Sequence, residues 1–243
     1  MQNSFDVTSD IEKAIDKLSV LDQKNIAYAV AKAMTLTGQL AEKKLKLQME
    51  SKIDRPTRWT MNSTFVKFAK PTDLVMEVGI RPTDSKGRTA AGKYLQALIK
   101  GGLPRYKGAD LSASKIGGYR GVLVPSKKSP VRLNKFGNVT LSKYSTVLSS
   151  ARDAGRSQGG FYIAPVKRGS SVKAIFQRKS SFIRGTSTLE NKTSRVFVLD
   201  PSPKPRAKVL DLPSILGKSI QRDFPMFMKQ RFEQELARKL ARY

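Results

Sequence analysis

A long amphipathic segment in the first quarter of the chain places the strongest constraint on its fold. From Asp22 to about Ile53, apolar residues recur every three to four positions, which is the period of one face of an α-helix. Pro56 ends the pattern because proline cannot continue a helix. A helix of this length has to lie along a sheet or a neighbouring subunit. Before it, the capping-box pattern of Ser9 and Glu12 predicts a shorter helix.

The centre of the chain has the short apolar and β-branched runs that are typical of strands. Thr64–Ala69 and Asp73–Ile80 flank a tight connection and predict an antiparallel pair. The apolar spacing of Thr89–Lys100 predicts a helix after this pair. Four more strands are predicted at Tyr119–Pro125, Gly160–Pro165, Lys173–Arg178 and Arg195–Asp200.

The C-terminal region is predicted to be helical. Pro213 suits the first turn of a helix, because the N–H that proline lacks has no helical partner there. An apolar stripe at helical spacing follows, formed by Phe224, Phe227, Met228, Phe232, Leu236 and Leu240.

These elements predict an α+β protein, in which a long N-terminal helix and C-terminal helices pack on a mainly antiparallel sheet with long basic loops. We expect a single domain over residues 1–243. It comprises a helical arm at 8–53, a sheet with an inserted helix at 60–200, and C-terminal helices at 211–243. Residues 103–190 supply the basic loops, and the polar stretch 186–194 is predicted to be mobile.

Charge is the dominant feature of the composition. Lys and Arg number 46 against 19 Asp and Glu, which gives a formal net charge of +27. Between Leu103 and Leu189 only Asp110 and Asp153 are acidic, against 17 basic residues. Such an excess predicts salt-dependent attraction to nucleic acid, acidic membranes or acidic protein partners.

The chain contains no cysteine and no histidine. Disulfides, thiolate metal sites, Ser-His-Asp catalysis and histidine zinc sites are therefore excluded. We predict that the protein is not an enzyme and needs no cofactor or metal. No window reaches the ~20 apolar residues of a membrane-spanning helix, and no signal peptide is visible, so we expect a soluble protein without a membrane partner.

Two groups of residues admit more than one interpretation. The pairs Gly117–Gly118 and Gly159–Gly160 resemble phosphate loops but precede predicted strands, which favours turns. Aromatic residues interleave with the central cations and could stack on single-stranded nucleic acid or face inward as core, and their apolar neighbours favour the core. They are Tyr119, Phe136, Tyr144, Phe161, Tyr162, Phe176 and Phe182.

The stretch Val131–Tyr144 places a Gly-Asn turn among basic and apolar residues. It could cradle a phosphate, read a base, or contact another protein. We expect no helix directly after the turn, which disfavours the phosphate cradle, and no nucleic-acid recognition motif is present. An interface loop is the interpretation we prefer.

The order of several segments resembles that of a known family. The segments are Arg132–Asn138, Gly160–Ile163, Ile175–Arg178, Val196–Leu199 and the closing helix from Arg222. In this order and texture, from about residue 10 to 242, the chain is similar to tail-completion and minor tail proteins of tailed bacteriophages, including minor tail protein Z.

The resemblance implies a structural virion protein of the neck or tail, made in the cytoplasm of the bacterial host. It implies assembly as a ring, as a hexamer or dodecamer, around the DNA channel, with other neck, portal or tail proteins as partners. The resemblance carries no catalytic residues. The main alternative is a sequence-nonspecific nucleic-acid-binding protein.

We name two candidate contact surfaces. One is a set of basic loops facing DNA or protein partners: Lys127, Lys128, Arg132, Lys135, Lys143, Lys167, Arg168, Arg178, Lys179 and Arg184. The other is a subunit-interface helix that carries Phe224, Phe227, Phe232 and Leu236.

Overall fold

The computed structural model describes residues 23–83, 89–118, 120–153, 160–182 and 189–241. The chain forms two compact units. Unit 1 combines the residues up to Gly102 with those from Ala207 onward, and unit 2 is Leu103–Arg206. The predicted α+β class is confirmed, because long helices accompany two antiparallel sheets. That the whole chain forms one domain stays a prediction.

The elements follow one another in mixed order. In chain order they are α1 Gln23–Lys52, α2 Arg58–Met61, β1 Thr64–Lys67, β2 Glu77–Ile80, α3 Ala91–Tyr94, α4 Gln96–Lys100, α5 Gly108–Gly117, β3 Val122–Pro125, α6 Leu141–Arg152, β4 Gly160–Pro165, β5 Lys173–Phe182, β6 Leu189–Asp200 and α7 Leu212–Leu240.

Helix α1 organises unit 1. Its side chains Val30, Leu45 and Met49 are fully buried, and α7 packs along it. Full burial of such a side chain contributes about 1.5–3 kcal/mol, so packing rather than intrinsic propensity holds α1 in place. The β1–β2 hairpin approaches α1 closely at Gly38, where any Cβ would collide with the side chains of Met76 and Val66.

A buried carboxylate fixes the register between α1 and α7. Asp223 of α7 accepts hydrogen bonds from Lys44 Nζ of α1, from Ser219 Oγ at 2.9 Å and from Arg222 Nε at 2.9 Å. Burial alone raises the pKa of Asp223, but the hydrogen bonds from Lys44, Arg222 and Ser219 outweigh it and lower that pKa from 3.8 to about 2. The carboxylate is thus charged and fully used inside unit 1.

Unit 2 is a two-layer structure. Its four strands are all antiparallel and lie in the order β3-β6-β5-β4. Helices α5 and α6 cover one face of this sheet. The core between the layers includes Val147 of α6, Ile175 of β5, and Phe197 and Leu199 of β6, all fully buried.

A second buried carboxylate joins α5 to the sheet. Asp110 accepts the backbone N–H of Lys107 at 2.6 Å, which caps the helix, and the N–H of Leu123 in β3 at 2.8 Å. Ser114 Oγ accepts the N–H of Gly121 at 3.3 Å. One of the two acids in the basic middle of the sequence is therefore used structurally and is not available to neutralise surface cations.

Most predicted elements are confirmed, with shifted boundaries. Helix α1 and strand β4 match their predictions, and β1 and β2 form the expected antiparallel pair. The helix predicted at Thr89–Lys100 starts later and breaks at Leu95 into α3 and α4. The short helix predicted near Ser9 lies outside the described residues.

Three details of the rest of the chain differ from what the sequence predicts. The basic loops at 103–190 contain two helices, α5 and α6. Helix α5 has no clear apolar stripe, whereas Tyr144, Val147, Leu148 and Ala151 of α6 do follow at helical spacing, a signal that the sequence analysis missed. Residues 189–194 of the predicted mobile stretch form the first half of β6, because they pair with β5, whereas 186–188 lie outside the described residues. The C-terminal region is one helix, α7, which accommodates Pro225 on an exposed face, where the carbonyl without a helical partner can meet water.

Acid is expected to destabilise unit 1 through Asp223. Because its folded-state pKa lies below the ordinary value of 3.8, its contribution is present above that value and is lost as the pH falls towards about 2. We expect a loss of about 2 kcal/mol in the free energy of unfolding. Urea unfolding followed by the fluorescence of Trp59, the sole tryptophan, reports on unit 1.

The matched control is Asp223→Asn, which keeps the size of the side chain but does not titrate. Its free energy of unfolding is expected to be lower than that of the native chain at neutral pH. The difference between the two should shrink as the pH falls from 4 to 2. A constant difference over this range would contradict the assignment.

Candidate interaction surfaces

The two units differ sharply in charge balance. Unit 2 carries 21 Lys and Arg against four Asp and Glu, whereas the rest of the chain carries 25 against 15. Seven ion pairs between described residues, including Lys44–Asp223 and Lys67–Glu77, lie within unit 1. Unit 2 therefore presents most of its cations to its surroundings.

The turn in the segment 131–144 is fixed by the side chain of Asn134. Its Oδ1 accepts the backbone N–H groups of Phe136 and Asn138, each at 3.0 Å. Backbone hydrogen bonds from Asn134 to Asn138, at 2.8 Å, and from Gly137 to Asn134, at 2.9 Å, close the loop. Gly137 has a φ of 73°, a conformation that glycine adopts without strain. The loop is thus preorganised.

This loop exposes apolar and basic side chains together. Leu133 is 48% exposed and Leu141 is 83% exposed. At the tip, Lys135 Nζ lies 5.2 Å from the centre of the Phe136 ring. The expectation that no helix follows the turn is wrong, because α6 begins at Leu141 and includes Lys143.

Strands β5 and β6 continue beyond their neighbours in the sheet. Strand β4 pairs with β5 only as far as Arg178, and β3 pairs with β6 only at 197–200. Among the described residues, 179–182 and 189–192 pair only with each other. We call this two-stranded extension the β-arm. Its four residue pairs give it a length of about 13 Å.

A β-bulge at Val196 determines which face each side chain of β6 occupies. Ile175 is opposite Phe197, whereas the next residue, Phe176, is opposite Arg195. Val196 is the extra residue, and it is buried beside Phe197 in the core. Without the bulge, simple alternation would place Arg195 on the same face as Phe197.

Aromatic and cationic groups meet on the sheet face opposite the helices. Tyr162 and Phe176 are half-buried there and stack with their ring centres 5.6 Å apart. The guanidinium of Arg178 lies 5.3 Å from the centre of the Tyr162 ring. Arg195 is opposite Phe176 in the register and is exposed. This arrangement combines an apolar platform with flanking positive charge.

The aromatic residues therefore divide between the two interpretations. Phe161 and Tyr144 pack against the core, and Tyr144 stacks on Phe197 with ring centres 5.3 Å apart. Tyr162 and Phe176 lie on the other face of the sheet. Tyr119 and the side chain of Phe182 lie outside the described part of the chain.

The predicted basic residues fall at separate places. Lys127 and Lys128 follow β3 at the end of the sheet that carries the β-arm. The backbone N–H of Ser126, just before them, donates to the backbone carbonyl of Val196, on the side of β6 that leads to the β-arm. Lys167 and Arg168 lie in the β4–β5 turn, at the opposite end of the sheet. Of the other predicted basic residues, Arg132, Lys135 and Lys143 belong to the 131–144 segment, and Arg178 and Lys179 belong to β5. Arg184 lies outside the described residues.

The predicted interface helix is partly internal. Phe224 and Phe232 of α7 pack against the core of unit 1, and Phe227 is half-buried. Leu236 is 45% exposed, and Met226, which is not among the predicted interface residues, is 56% exposed. A role for this helix in subunit contacts stays a prediction, and it would rest on these exposed positions.

A polar cleft lies between α1 and α7 within unit 1. It has a volume of about 310 Å³ and is lined by Tyr28, Lys32, Arg231, Glu235 and Arg238 among others. In the described ranges no three Asp or Glu side chains group as metal ligands. No described helix is long and apolar enough to cross a membrane. The non-enzyme assignment stays a prediction.

Comparison with known proteins gives no assignment. No protein-family model, no curated protein and no solved structure matches this chain significantly.

Replacing Asn134 with Ala is expected to loosen the 131–144 loop without unfolding the unit. The backbone N–H groups of Phe136 and Asn138 would lose their acceptor, at a cost of about 1 kcal/mol at this exposed position. Hydrogen exchange should show faster exchange of these two amides. Asn134→Asp keeps the acceptor oxygen and should leave their exchange nearly unchanged. Equal acceleration in both variants would contradict the role of Asn134.

Proposed function

We propose that this chain is a structural virion protein of a tailed phage, a neck or tail-completion component that assembles as a ring around the DNA channel. Its subunits contact one another and other neck, portal or tail proteins. It works by assembly and not by catalysis. The segment order described in the sequence analysis suggests the phage context.

The observation that carries the proposal is the preorganised loop at 131–144. Leu133 and Leu141 are large apolar side chains that are partly or largely exposed to water. Burial in an interface would contribute about 1.5–3 kcal/mol for Leu141 and about half of that for Leu133, which is already half-buried. The hydrogen bonds of Asn134 order the loop in advance, which lowers the entropic cost of binding. Ligand and substrate sites are usually concave, whereas a protruding ordered loop suits contact with another protein.

The cations around this loop restrict the partner. Arg132, Lys135 and Lys143 are exposed, and among the described residues no acidic side chain lies between Asp110 and Asp153. Like charges at an interface cost several kcal/mol, so the complementary surface has to be acidic or neutral. A second copy of the ring subunit or a neighbouring virion protein would supply it.

Sequence-nonspecific nucleic-acid binding is the second candidate function. A specific observation favours it, namely that Lys179 and Lys192 stand directly opposite each other in the β-arm. The two functions are compatible in a ring that surrounds DNA. They differ in what the isolated protein does.

Native mass measurement distinguishes the two functions. A ring component is expected to form a discrete oligomer of six or twelve copies, or to oligomerise only on its partner. In 0.5 M salt the particle-bound form should remain bound, because buried apolar contacts are not screened. A chain that stays monomeric and binds duplex DNA with a steep salt dependence would support the second function instead.

Replacing Arg132, Lys135 and Lys143 with Ser is expected to impair assembly into particles while leaving the melting temperature nearly unchanged, since all three side chains are exposed. Infectious titre and electron microscopy of the particles measure the effect. The matched control replaces Arg105, Lys115 and Arg120 with Ser, which removes the same charge from other exposed positions of unit 2. An unchanged titre in the first variant, or an equal loss in both, would overturn the assignment of the loop.

A further inference from the structure

We propose that one end of the unit 2 sheet binds the phosphate backbone of double-stranded DNA through the β-arm and its base. This inference rests on the proposed function, in which the DNA is the DNA that passes through the channel of the ring. The contacting residues are Lys127, Lys128, Arg178, Lys179, Lys192 and Arg195.

The sheet topology brings these cations together from three separate stretches of sequence. Lys127 and Lys128 follow β3 beside the middle of β6, where the backbone of Ser126 donates to Val196 at 2.9 Å. Arg178 and Lys179 lie where β5 outruns β4, and Lys192 and Arg195 lie on the neighbouring part of β6. All six side chains belong to exposed residues. The result is one continuous basic end of the sheet.

Repulsion between the central pair, Lys179 and Lys192, destabilises the β-arm, and an external anion would reduce this repulsion. The two residues occupy directly opposite positions in an antiparallel pair, where like charges repel. The nearest acid in the register, Glu190, lies opposite Ser181, two positions further along the same face, so the position directly opposite each lysine is taken by the other lysine. A bound phosphate between the two ammonium groups would relieve their repulsion.

The two faces of the extended strands both carry positive charge. Lys179 and Lys192 lie on the face that continues the core side of the sheet, while Arg178 and Arg195 lie on the opposite face. On that opposite face, the ring of Tyr162, which stacks on Phe176, supports the guanidinium of Arg178. A polyanion can thus be contacted from either side of the β-arm.

The composition of this surface favours DNA over an acidic protein. Protein interfaces have an apolar core, and their fully buried part is depleted of charge. Next to the lysine pair, Gln177, Thr193 and Ser194 are polar, and on the opposite face the two aromatic rings of Tyr162 and Phe176 are half-buried against each other. A two-stranded ribbon is also narrow enough to enter the major groove, which is about 12 Å wide. Contacts between the basic side chains and the DNA phosphates would position the protein on DNA without reading the base sequence.

Salt-dependent binding to duplex DNA tests the proposal. The full-length chain is titrated with a fluorescent random-sequence duplex, and binding is followed by anisotropy over a range of salt concentrations. The test variant is Lys179→Gln with Lys192→Gln. The control is Lys167→Gln with Arg168→Gln, which removes the same net charge at the opposite end of the same sheet.

We expect the native chain to bind, and the arm variant to bind roughly tenfold more weakly or worse, with the slope of log K against log salt reduced by about 2. The control variant should keep nearly the native slope. Thermal melting should show no loss of stability in the arm variant, because the substitution removes a repulsion. Arg178→Gln with Arg195→Gln should reduce the slope by a similar amount.

Several results would overturn the proposal. These are no binding by the native chain at low salt, equal effects of the arm variant and the Lys167/Arg168 control, or an unchanged slope in the arm variant. Competition by polyglutamate with no measurable duplex binding would identify an acidic protein as the occupant instead. Native mass, together with electron microscopy of the particles, separates this proposal from the proposed function: loss of DNA binding in the arm variant of a chain that forms no ring, either alone or in particles, supports the DNA contact and contradicts the ring.

Discussion

Electrostatic repulsion within unit 2 is the constraint on which the rest of this structure depends. Its 21 basic and four acidic residues have to coexist within Leu103–Arg206. One of the four acids, Asp110, is buried and cannot form ion pairs with the cations on the surface. At physiological salt, surface charges more than about 8 Å apart are largely screened, so a dispersed set of cations is tolerable. The apolar core around Phe197 and Ile175 has to overcome what remains.

Unit 1 handles charge in the opposite way. Asp223 is surrounded by Lys44, Ser219 and Arg222, and Glu42 accepts hydrogen bonds from Thr64 and pairs with Lys46. These groups hold helices and strands of one unit in register. In unit 1, Asp223 and Glu42 pair with cations and join separate elements, whereas in unit 2 Asp110 joins two elements through backbone N–H groups and pairs with no cation among the ion pairs described.

The sequence predicted the elements whose own residues specify them. Helix α1 has a sustained helical period, and β4 has an apolar run bounded by glycine and proline. Helix α5 was missed because its small residues give no clear stripe, and its anchor is a hydrogen bond between Asp110 and Leu123, in a different element. The grouping of Lys127 with Arg195 depends on the order of strands in the sheet, which no local pattern encodes. The loop at 131–144 was identified from its turn residues, but its following helix was not.

The bulge at Val196 lets one strand serve two purposes. On one side of it, Phe197 and Leu199 have the alternation that the core requires, and on the other side the alternation is reversed, so that Arg195 points away from the core. A sequence change in the outer half of the hairpin is thereby decoupled from packing in the inner half. Insertions of two residues in each strand would lengthen the β-arm and preserve both faces, which gives evolution a simple way to adjust the reach of this protein.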